Sequence, residues 1–276
     1  MAVKKKKKTA ERKSKLMRFR INLMGVKPEI WRRVYVPEHI NMQKFAVVLL
    51  LAMGWHNSHL HEFEIRGRRF GLIGEAYDIG AGDMPEDEAL YRIVDMEFKE
   101  GDEFLFEYDF GDGWKHLLVF EGYAENTGST GFCTEGARNC PPEDCGGVGG
   151  YLDMIESFEK PGTPEYMHMF KWLGGKYDPE FFSVDIANRR LKKTDAYIRY
   201  GFMNDESALD EILAGYEHQN CGIGLSQKDV YKAEMQPLLM KLDKKQLIRI
   251  IFANMRVHED LVDEMVEYFE LDKEKT

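Results

Sequence analysis

Alternation of apolar and polar residues predicts two strands at the start of the chain. The segment LMRFRINLMG, residues 16–25, alternates in this way, and EIWRRVYVP, residues 29–37, follows the same pattern. A period of two is typical of a strand with one face on a core. Gly25 and Pro28 lie between the segments and favour a turn. The sequence therefore predicts a hairpin.

The period then changes to that of a helix. In residues 45–53, FAVVLLLAM, apolar residues recur at three- and four-residue steps and form a wide stripe. Asn41 is suited to cap this helix and Gly54 to end it. HLHEFEIRG, residues 59–67, alternates again and predicts a third strand. The Gly-, Asp- and Glu-rich residues 67–88 indicate a loop.

A second hairpin is predicted in GDEFLFEYDFGDGWKHLLVFEGY, residues 101–123. Two rows alternate along it: Phe104, Phe106, Tyr108 and Phe110, then Trp114, His116, Leu118 and Phe120. A three-residue loop, residues 111–113, would place both rows on one face of the sheet. We therefore predict that Tyr108 lies opposite His116, on the inner face.

Helical periodicity dominates the remainder of the chain. The pattern predicts an α+β fold: a mixed, largely antiparallel sheet with a packed helix, in a β-grasp-like arrangement, followed by an α-helical C-terminal region. The helical segments are residues 150–160, 164–175, 177–193 after a turn, and most of the chain from 195 onward. The predicted organisation is a disordered basic arm (1–14), an α+β domain (15–194) and a helical extension (195–276).

Charge is distributed unevenly. Residues 1–20 contain ten Lys and Arg and one Glu, so the remaining 28 basic and 47 acidic residues carry a net charge of −19. An acidic body does not suit phosphate contacts, which need clustered Lys and Arg. The run Lys4–Lys8 is a candidate for nucleic-acid or acidic-partner binding, or a solubilising tail. The C-terminal helices are the candidate surface for a protein partner.

Nothing in the sequence suggests a membrane protein. The chain contains no run of 18 apolar residues, and its basic first residues lead into a charged segment rather than an apolar one. We therefore expect a cytoplasmic protein whose thiols are reduced.

Three of the four cysteines lie in CTEGARNCPPEDCGG, residues 133–147. Cys133, Cys140 and Cys145 are separated by six and four residues, wider than the pairs typical of zinc sites. His116, inward in the predicted register, would complete a four-ligand set, and zinc is the cofactor that such a set binds. A proline- and glycine-shaped loop with packed thiols, or redox pairing, explains the same residues.

Histidines and carboxylates provide a second candidate set. On a strand, His59 and His61 would project to one face, and Asp109 or Asp112 would complete a hydrolytic metal site with an open water position. Ordinary structural histidines are the alternative. The four carboxylates that are candidates for acid–base pairing are Asp109, Asp112, Glu143 and Asp144.

Several segments, in this order, resemble the signature blocks of the plasmid pRiA4b ORF-3-like proteins. They are LMGVKPEIWRRVYVP, AMGWHNSHLHEF, EGDEFLFEYDFGDGWKH, CTEGARNCPPEDCGG and YDPEFFSVDIANRRL, and together they cover about residues 16–193. The residues that match the signature are Trp31, Arg32, Arg33, Trp55, His59, His61, Tyr108, Asp109, Gly111, Asp112, Trp114, His116, Cys140, Pro141, Pro142, Asp144, Cys145 and Gly146.

The resemblance implies an α+β domain and brings no activity with it. Some members carry a transposon-resolvase label, but the sequence shows neither a serine backed by arginines nor a basic helix-turn-helix. Three hypotheses follow. The first is a non-enzymatic binding or adaptor module with the cysteine loop as a clasp, holding zinc or not. The second is a metal-dependent hydrolase or nucleic-acid-processing enzyme that uses three histidines and two aspartates, His59, His61, His116, Asp109 and Asp112. The third is nucleic-acid association through Lys4–Lys8.

Overall fold

One eight-stranded sheet dominates the computed structural model, which describes residues 15–73, 84–125, 131–203 and 205–213. The strands are β1 (Lys15–Leu23), β2 (Trp31–Pro37), β3 (His61–Ile65), β4 (Arg68–Gly71), β5 (Glu86–Asp87), β6 (Glu103–Tyr108), β7 (Trp114–Glu125) and β8 (Phe132–Ala137). Their order in the sheet is β5-β4-β3-β6-β7-β1-β2-β8. Neighbours are antiparallel except for β4 and β5, which are parallel.

The described helices are α1 (Met42–Met53), α2 (Gly147–Phe158), α3 (Pro164–Leu173), α4 (Val184–Leu191), α5 (Thr194–Met203) and α6 (Ala208–Leu213). The predicted α+β class, with a mixed and largely antiparallel sheet, is therefore confirmed. Residues 157–176, with the end of α2 and all of α3, belong to a second compact unit. No helix among the described residues is long and apolar enough to cross a membrane.

Two predicted features fall outside the described residues. These are the basic arm with Lys4–Lys8 and the helices predicted beyond residue 213. The domain boundary at residue 194 therefore stays a prediction.

Helix α1 lies against the sheet and is buried along almost its whole length. Both predicted caps are confirmed. The side chain of Asn41 accepts a hydrogen bond from the Lys44 N–H at 2.9 Å, and Gly54 ends the helix by donating its N–H to the Leu50 carbonyl. Phe45 packs on Phe19 with ring centroids 4.9 Å apart. Ten of the twelve residues of α1 are buried, because the helix also packs against α4 and α5.

The register of the central hairpin differs from the prediction by two residues. Tyr108 pairs with Trp114, and His116 pairs with Phe106 rather than with Tyr108. The strand stops at Tyr108 because Asp109 adopts a left-handed conformation, with φ +54°. Since a shift of two residues preserves the face of a strand, Tyr108 and His116 still point inward and are fully buried. Phe110 moves into the turn, where 43% of it is exposed.

Two other predictions of strands and loops are wrong in detail. Strand β3 begins at His61, so His59 precedes it in a bend. The segment predicted as a loop, residues 67–88, contains β4 and β5 at its ends. These strands have four and two residues, too short for an alternating pattern to stand out.

The edge strand β8 is paired on its outer side by one side chain. The Asn188 amide, on α4, accepts a hydrogen bond from the Cys133 N–H at 2.8 Å and donates one to the Cys133 carbonyl at 2.9 Å. Both backbone polar groups of Cys133 therefore have a partner at an edge where no further strand of the described residues follows.

Candidate functional site

Three loops meet beside the ends of β6 and α1. They are residues 54–60, residues 109–113 and residues 138–146, and each joins elements described above. Two hydrogen bonds, one buried and one partly buried, connect the first loop to the third. The Trp55 indole N–H donates to the Pro141 carbonyl at 3.0 Å, and the His56 N–H donates to the Glu143 carboxylate at 2.8 Å.

The second and third loops touch through their backbones. A Cβ atom on Gly147 would lie 2.4 Å from the carbonyl oxygen of Asp112, so only glycine fits there. The Gly146 N–H donates to the Asp112 carboxylate at 3.1 Å. Asp112, a predicted site residue, therefore holds the two loops together.

The convergence of these loops places His59 among three carboxylates. Its Nε2 atom lies 3.1 Å from Asp144 Oδ1, 3.6 Å from Asp109 Oδ2 and 3.9 Å from Glu143 Oε2. This nitrogen is buried and makes no hydrogen bond within the described part of the chain. Ligand atoms of His59, Asp109 and Asp144 all lie within 4.8 Å of one another, a spacing that can hold a metal ion.

Backbone strain is concentrated in the same three loops. Asn57, Asp109 and Asp144 have φ values of +58°, +54° and +57°, in the left-handed region that non-glycine residues rarely adopt. The first two loops each contribute one such residue, and the third also contains Arg138, with φ +65°. At Asp109 the conformation is supported by hydrogen bonds, because its Oδ1 accepts from the Gly111 N–H at 3.0 Å. The other carboxylate oxygen, Oδ2, is the one that faces His59.

Glu143 is held from two sides. Its carboxylate accepts hydrogen bonds from the Tyr108 hydroxyl at 3.0 Å and from the His56 N–H. The Tyr108 hydroxyl in turn accepts from the Ser58 N–H at 3.0 Å. Burial raises the pKa of Glu143 above its ordinary value, and the hydrogen bonds from His56 and Tyr108 oppose that shift. The chain therefore places a well-oriented carboxyl group beside the His59 cluster.

His61, the other predicted site histidine, lies elsewhere. Its Nε2 is 3.0 and 3.1 Å from the two carboxylate oxygens of Glu88, and both residues are fully buried. The prediction that His59 and His61 share one face of a strand is wrong, because the strand starts only at His61. The structure thus brings together His59 and Asp109, and leaves His61 and Asp112 outside the cluster.

The cysteines do not form a ready metal site with His116. Within the described ranges, one group of His, Cys, Asp or Glu side chains has a spacing that suits a metal ion, and it is the His59 group. That group includes none of Cys133, Cys140, Cys145 and His116. All three cysteines are free thiols. Burial raises the pKa of Cys145 to about 12 and also raises those of Cys133 and Cys140, which disfavours the thiolate that both zinc and redox chemistry require.

The cysteine loop is held by hydrogen bonds from its surroundings. The Tyr177 hydroxyl donates to the Cys140 carbonyl at 3.0 Å, and the Asn139 N–H donates to the Pro179 carbonyl at 2.9 Å. With the indole bond from Trp55, these contacts fix the backbone that carries Glu143 and Asp144 into the site.

His116 is buried in the core as a neutral imidazole. Its Nδ1–H donates to the Phe106 carbonyl at 3.2 Å, and its ring packs on Trp55 at 5.2 Å between centroids. Burial lowers the pKa of His116 to about 4.

Acid is therefore expected to destabilise the fold through His116. The imidazole takes up a proton near pH 6.5 in the unfolded chain but only near pH 4 in the folded one, so the unfolded state binds more protons in between. Stability should be lost as the pH falls from 6.5 toward 4, by about 2–3 kcal/mol from this residue. Urea unfolding of wild type and His116→Gln across this range measures the loss, which should shrink in the variant. The same substitution at His39, which is exposed, is the control for the loss of a histidine.

The sequence predicts the individual residues of the cluster but does not show which of them lie together. His59 and Asp109 were predicted for one site, and Asp144 only as a carboxylate available for acid–base pairing. Asp144 reaches His59 because two long-range contacts, at Pro141 and at Gly147, bring the third loop to the other two. The concentration of Asp and Gly in DFGDG and EDCGG is the one local signal of tight, strained turns.

His59, Asp109 and Asp144, together with the adjacent Glu143, lie in the part of the chain that matches a known protein family. The pattern of the plasmid pRiA4b ORF-3-like protein family matches residues 15–186. The uncharacterized protein y4hQ of Sinorhizobium fredii is 36% identical over 178 residues, which are 64% of this chain and 90% of that protein.

A solved structure is also similar. The protein of unknown function MM3350 from Methanosarcina mazei Go1 superimposes with a TM-score of 0.55 and 31% identity, over 62% of this chain and 97% of that one. The family pattern, the relative and the solved fold thus each match well over half of this chain. This protein belongs to the plasmid pRiA4b ORF-3-like protein family.

Proposed function

We propose that this protein binds a divalent metal ion through His59, Asp109 and Asp144 and acts as a metal-dependent hydrolase. The proposal is carried by the Nε2 atom of His59, which is buried, lacks a hydrogen-bond partner among the described residues and faces carboxylate oxygens at 3.1 and 3.6 Å. A buried polar atom without a partner has a cost that a bound cation would remove.

The donor set suits a borderline or hard divalent ion. One imidazole and two carboxylates are ligands that Zn²⁺ and Mn²⁺ accept. Three protein ligands leave positions open for water and substrate, and Asp144, with 71% of its side chain exposed, lies on the solvent side. A bound ion of this kind supplies a water molecule of lowered pKa and polarises an ester or phosphoester oxygen.

Glu143 is the residue placed to take the proton from the attacking water. Its Oε2 lies 3.9 Å from His59 Nε2, and the Tyr108 hydroxyl and the His56 N–H fix its orientation. A carboxylate that is positioned but not itself among the three proposed ligands is suited to general-base work. His59, Asp109 and Asp144 would hold the ion, while Glu143 moves the proton.

Metal binding is the first test of this proposal. Purified protein, stripped with a chelator, is titrated with Zn²⁺ and with Mn²⁺ by calorimetry. We expect one site per chain, and a loss of affinity of at least about 100-fold in His59→Gln and in Asp109→Asn, because each removes one of three ligands. His39→Gln, at an exposed histidine, is the matched control. A wild-type protein that binds neither ion, or equal affinity in all variants, would contradict the site.

Hydrolysis is tested separately with Glu143→Gln. This variant should keep the metal affinity of wild type and lose about 100-fold or more in rate on p-nitrophenyl esters or phosphoesters, since it removes only the proton acceptor. Metal binding without any hydrolysis by wild type would leave the binding site and overturn the enzymatic role.

A non-enzymatic binding or adaptor module with the cysteine loop as a clasp is the second candidate. The buried hydrogen bonds from Trp55 and Tyr177 to the Pro141 and Cys140 carbonyls favour it, because they fasten the loop to the fold without chemistry. In its zinc form, the clasp at Cys133, Cys140, Cys145 and His116 predicts a tightly held zinc that is lost in Cys140→Ser and kept in His59→Gln. Nucleic-acid association through Lys4–Lys8 predicts salt-sensitive, sequence-independent binding that disappears when residues 1–15 are removed.

A further inference from the structure

A cavity of about 520 Å³ lies on the face of the sheet that does not carry α1. It is formed where β7, β1, β2 and β8 run side by side, and it is open to solvent. The residues that matter for its chemistry are Arg18, Arg33, Tyr35, Glu100, Glu121 and Glu135. None of them belongs to the His59 cluster, so the cavity is a separate feature of the fold.

Two irregularities in the strand pairing lie beside this cavity. Between β1 and β7, Arg18 pairs with Gly122 and Phe19 with Phe120, so Glu121 is an extra residue. Between β2 and β8, the register shifts in the same way after Arg33. Such bulges bend a strand and redirect its side chains, and they are frequent beside binding sites.

The arginines of the cavity are already satisfied by its carboxylates. Arg33 donates to Glu121 at 2.7 and 3.1 Å and also to Glu135. Arg18 donates to the Glu121 carbonyl at 2.6 Å and lies 3.2 Å from its carboxylate. These contacts raise the pKa of Arg33, because the charged form is bonded on both sides. Neither guanidinium is therefore available to a negatively charged ligand without breaking these pairs.

Glu100 is the cavity carboxylate that pairs with neither Arg18 nor Arg33. It lines the cavity, its carboxylate reaches over Gly122, and it makes no ion pair or side-chain hydrogen bond with the other described residues. Two arginines and three glutamates leave the cavity with one uncompensated negative charge. Its electrostatics therefore select a ligand with a single positive group.

The walls of the cavity suit an alkyl stem. Tyr35 is fixed by stacking on Phe132, with ring centroids 5.1 Å apart and planes within 3° of parallel. Val119, on β7, also lines the cavity, with β1 between its strand and that of Tyr35. An aromatic face and an aliphatic side chain can cover the methylene groups of a lysine while its ammonium reaches a carboxylate.

We propose that this cavity binds a lysine side chain of a basic peptide, with the ammonium on Glu100 and the stem against Tyr35 and Val119. An open cavity on a sheet face holds a single small amine poorly, whereas a peptide adds contacts on either side of the lysine. This site is independent of the proposed hydrolase, since no residue is shared between them.

The test uses fluorescently labelled pentalysine amide and the full-length protein. We expect saturable binding that weakens about tenfold in Glu100→Gln, which removes the charge and keeps the shape. The matched control is Glu64→Gln, at an exposed glutamate of β3, which changes the net charge of the protein by the same amount. Thermal melting confirms that both variants fold.

Three outcomes would overturn the proposal. Equal weakening in Glu100→Gln and Glu64→Gln would mean general attraction to an acidic protein. Equal binding of an acetyl-lysine version of the peptide would exclude recognition of the ammonium. Lysine amide binding as tightly as pentalysine would exclude a peptide as the ligand.

Discussion

Replacing Gly150 by alanine is expected to destabilise the protein by about 3 kcal/mol or more. A Cβ atom at this position would lie 1.8 Å from the carbonyl oxygen of Cys145 and 2.9 Å from its carbonyl carbon. Both are backbone atoms, so the clash cannot be relieved by turning a side chain. The loop that carries Glu143 and Asp144 would have to move, and we expect metal affinity to fall together with stability.

Gly149 provides the matched control for this substitution. It lies beside Gly150 in α2, and a Cβ atom there would meet no atom within 4 Å. Since alanine is favoured over glycine in a helix by up to about 1 kcal/mol, Gly149→Ala should be neutral or stabilising. Urea unfolding of both variants measures the difference. Equal stability of the two would show that the loop yields to the added atom.

Replacing Arg32 by methionine is expected to cost about 3–5 kcal/mol. The side chain is only 2% exposed, and its guanidinium donates to four backbone carbonyls, those of Ala52, Met53, Trp31 and Ala137, at 2.8–3.3 Å. It also stacks on the Phe182 ring at 4.2 Å. Methionine can fill much of the volume but donates no hydrogen bond, so four buried acceptors would lose their partner.

Arg20 is the matched control for Arg32. It lies on β1, pairs with Glu29 at 2.8 Å and covers the Trp31 ring, but 31% of its side chain is exposed. Partly exposed ion pairs contribute at most about 1 kcal/mol, so Arg20→Met should change the free energy of unfolding little. Chemical denaturation monitored by tryptophan fluorescence compares the two. A loss at Arg32 no larger than that at Arg20 would refute the importance of the buried donors.

Short-range sequence patterns predict the parts of the fold that depend on residues close together in the chain. The Asn41 cap, the Gly54 end and the inward aromatic rows depend on residues within a few positions of one another, and the sequence was sufficient for them. The hairpin register was not predictable in this way. It depends on Asp109 adopting a left-handed conformation, which the hydrogen bonds inside the turn stabilise at the expense of a longer strand.

The candidate site was predictable as residue types and not as a constellation. The sequence predicts Asp109 and His59 as site residues because both residue types bind metal ions. The approach of Asp144 depends on a glycine fitting against Asp112 and on an indole reaching a carbonyl 86 residues away in sequence. The cysteines are the opposite case, in which a predicted shared site is not formed. Their spacing suggests a shared metal, but burial raises the pKa of each thiol and disfavours the thiolate.

The Asn188 side chain has a consequence for how this protein can assemble. By occupying both backbone groups of Cys133, the second residue of β8, it blocks the beginning of the outermost strand with an amide that cannot extend the hydrogen-bond ladder further. A foreign strand, from another copy or from an unfolded neighbour, finds no continuous template along β8. A partner of this protein is therefore not expected to lengthen the sheet at this edge.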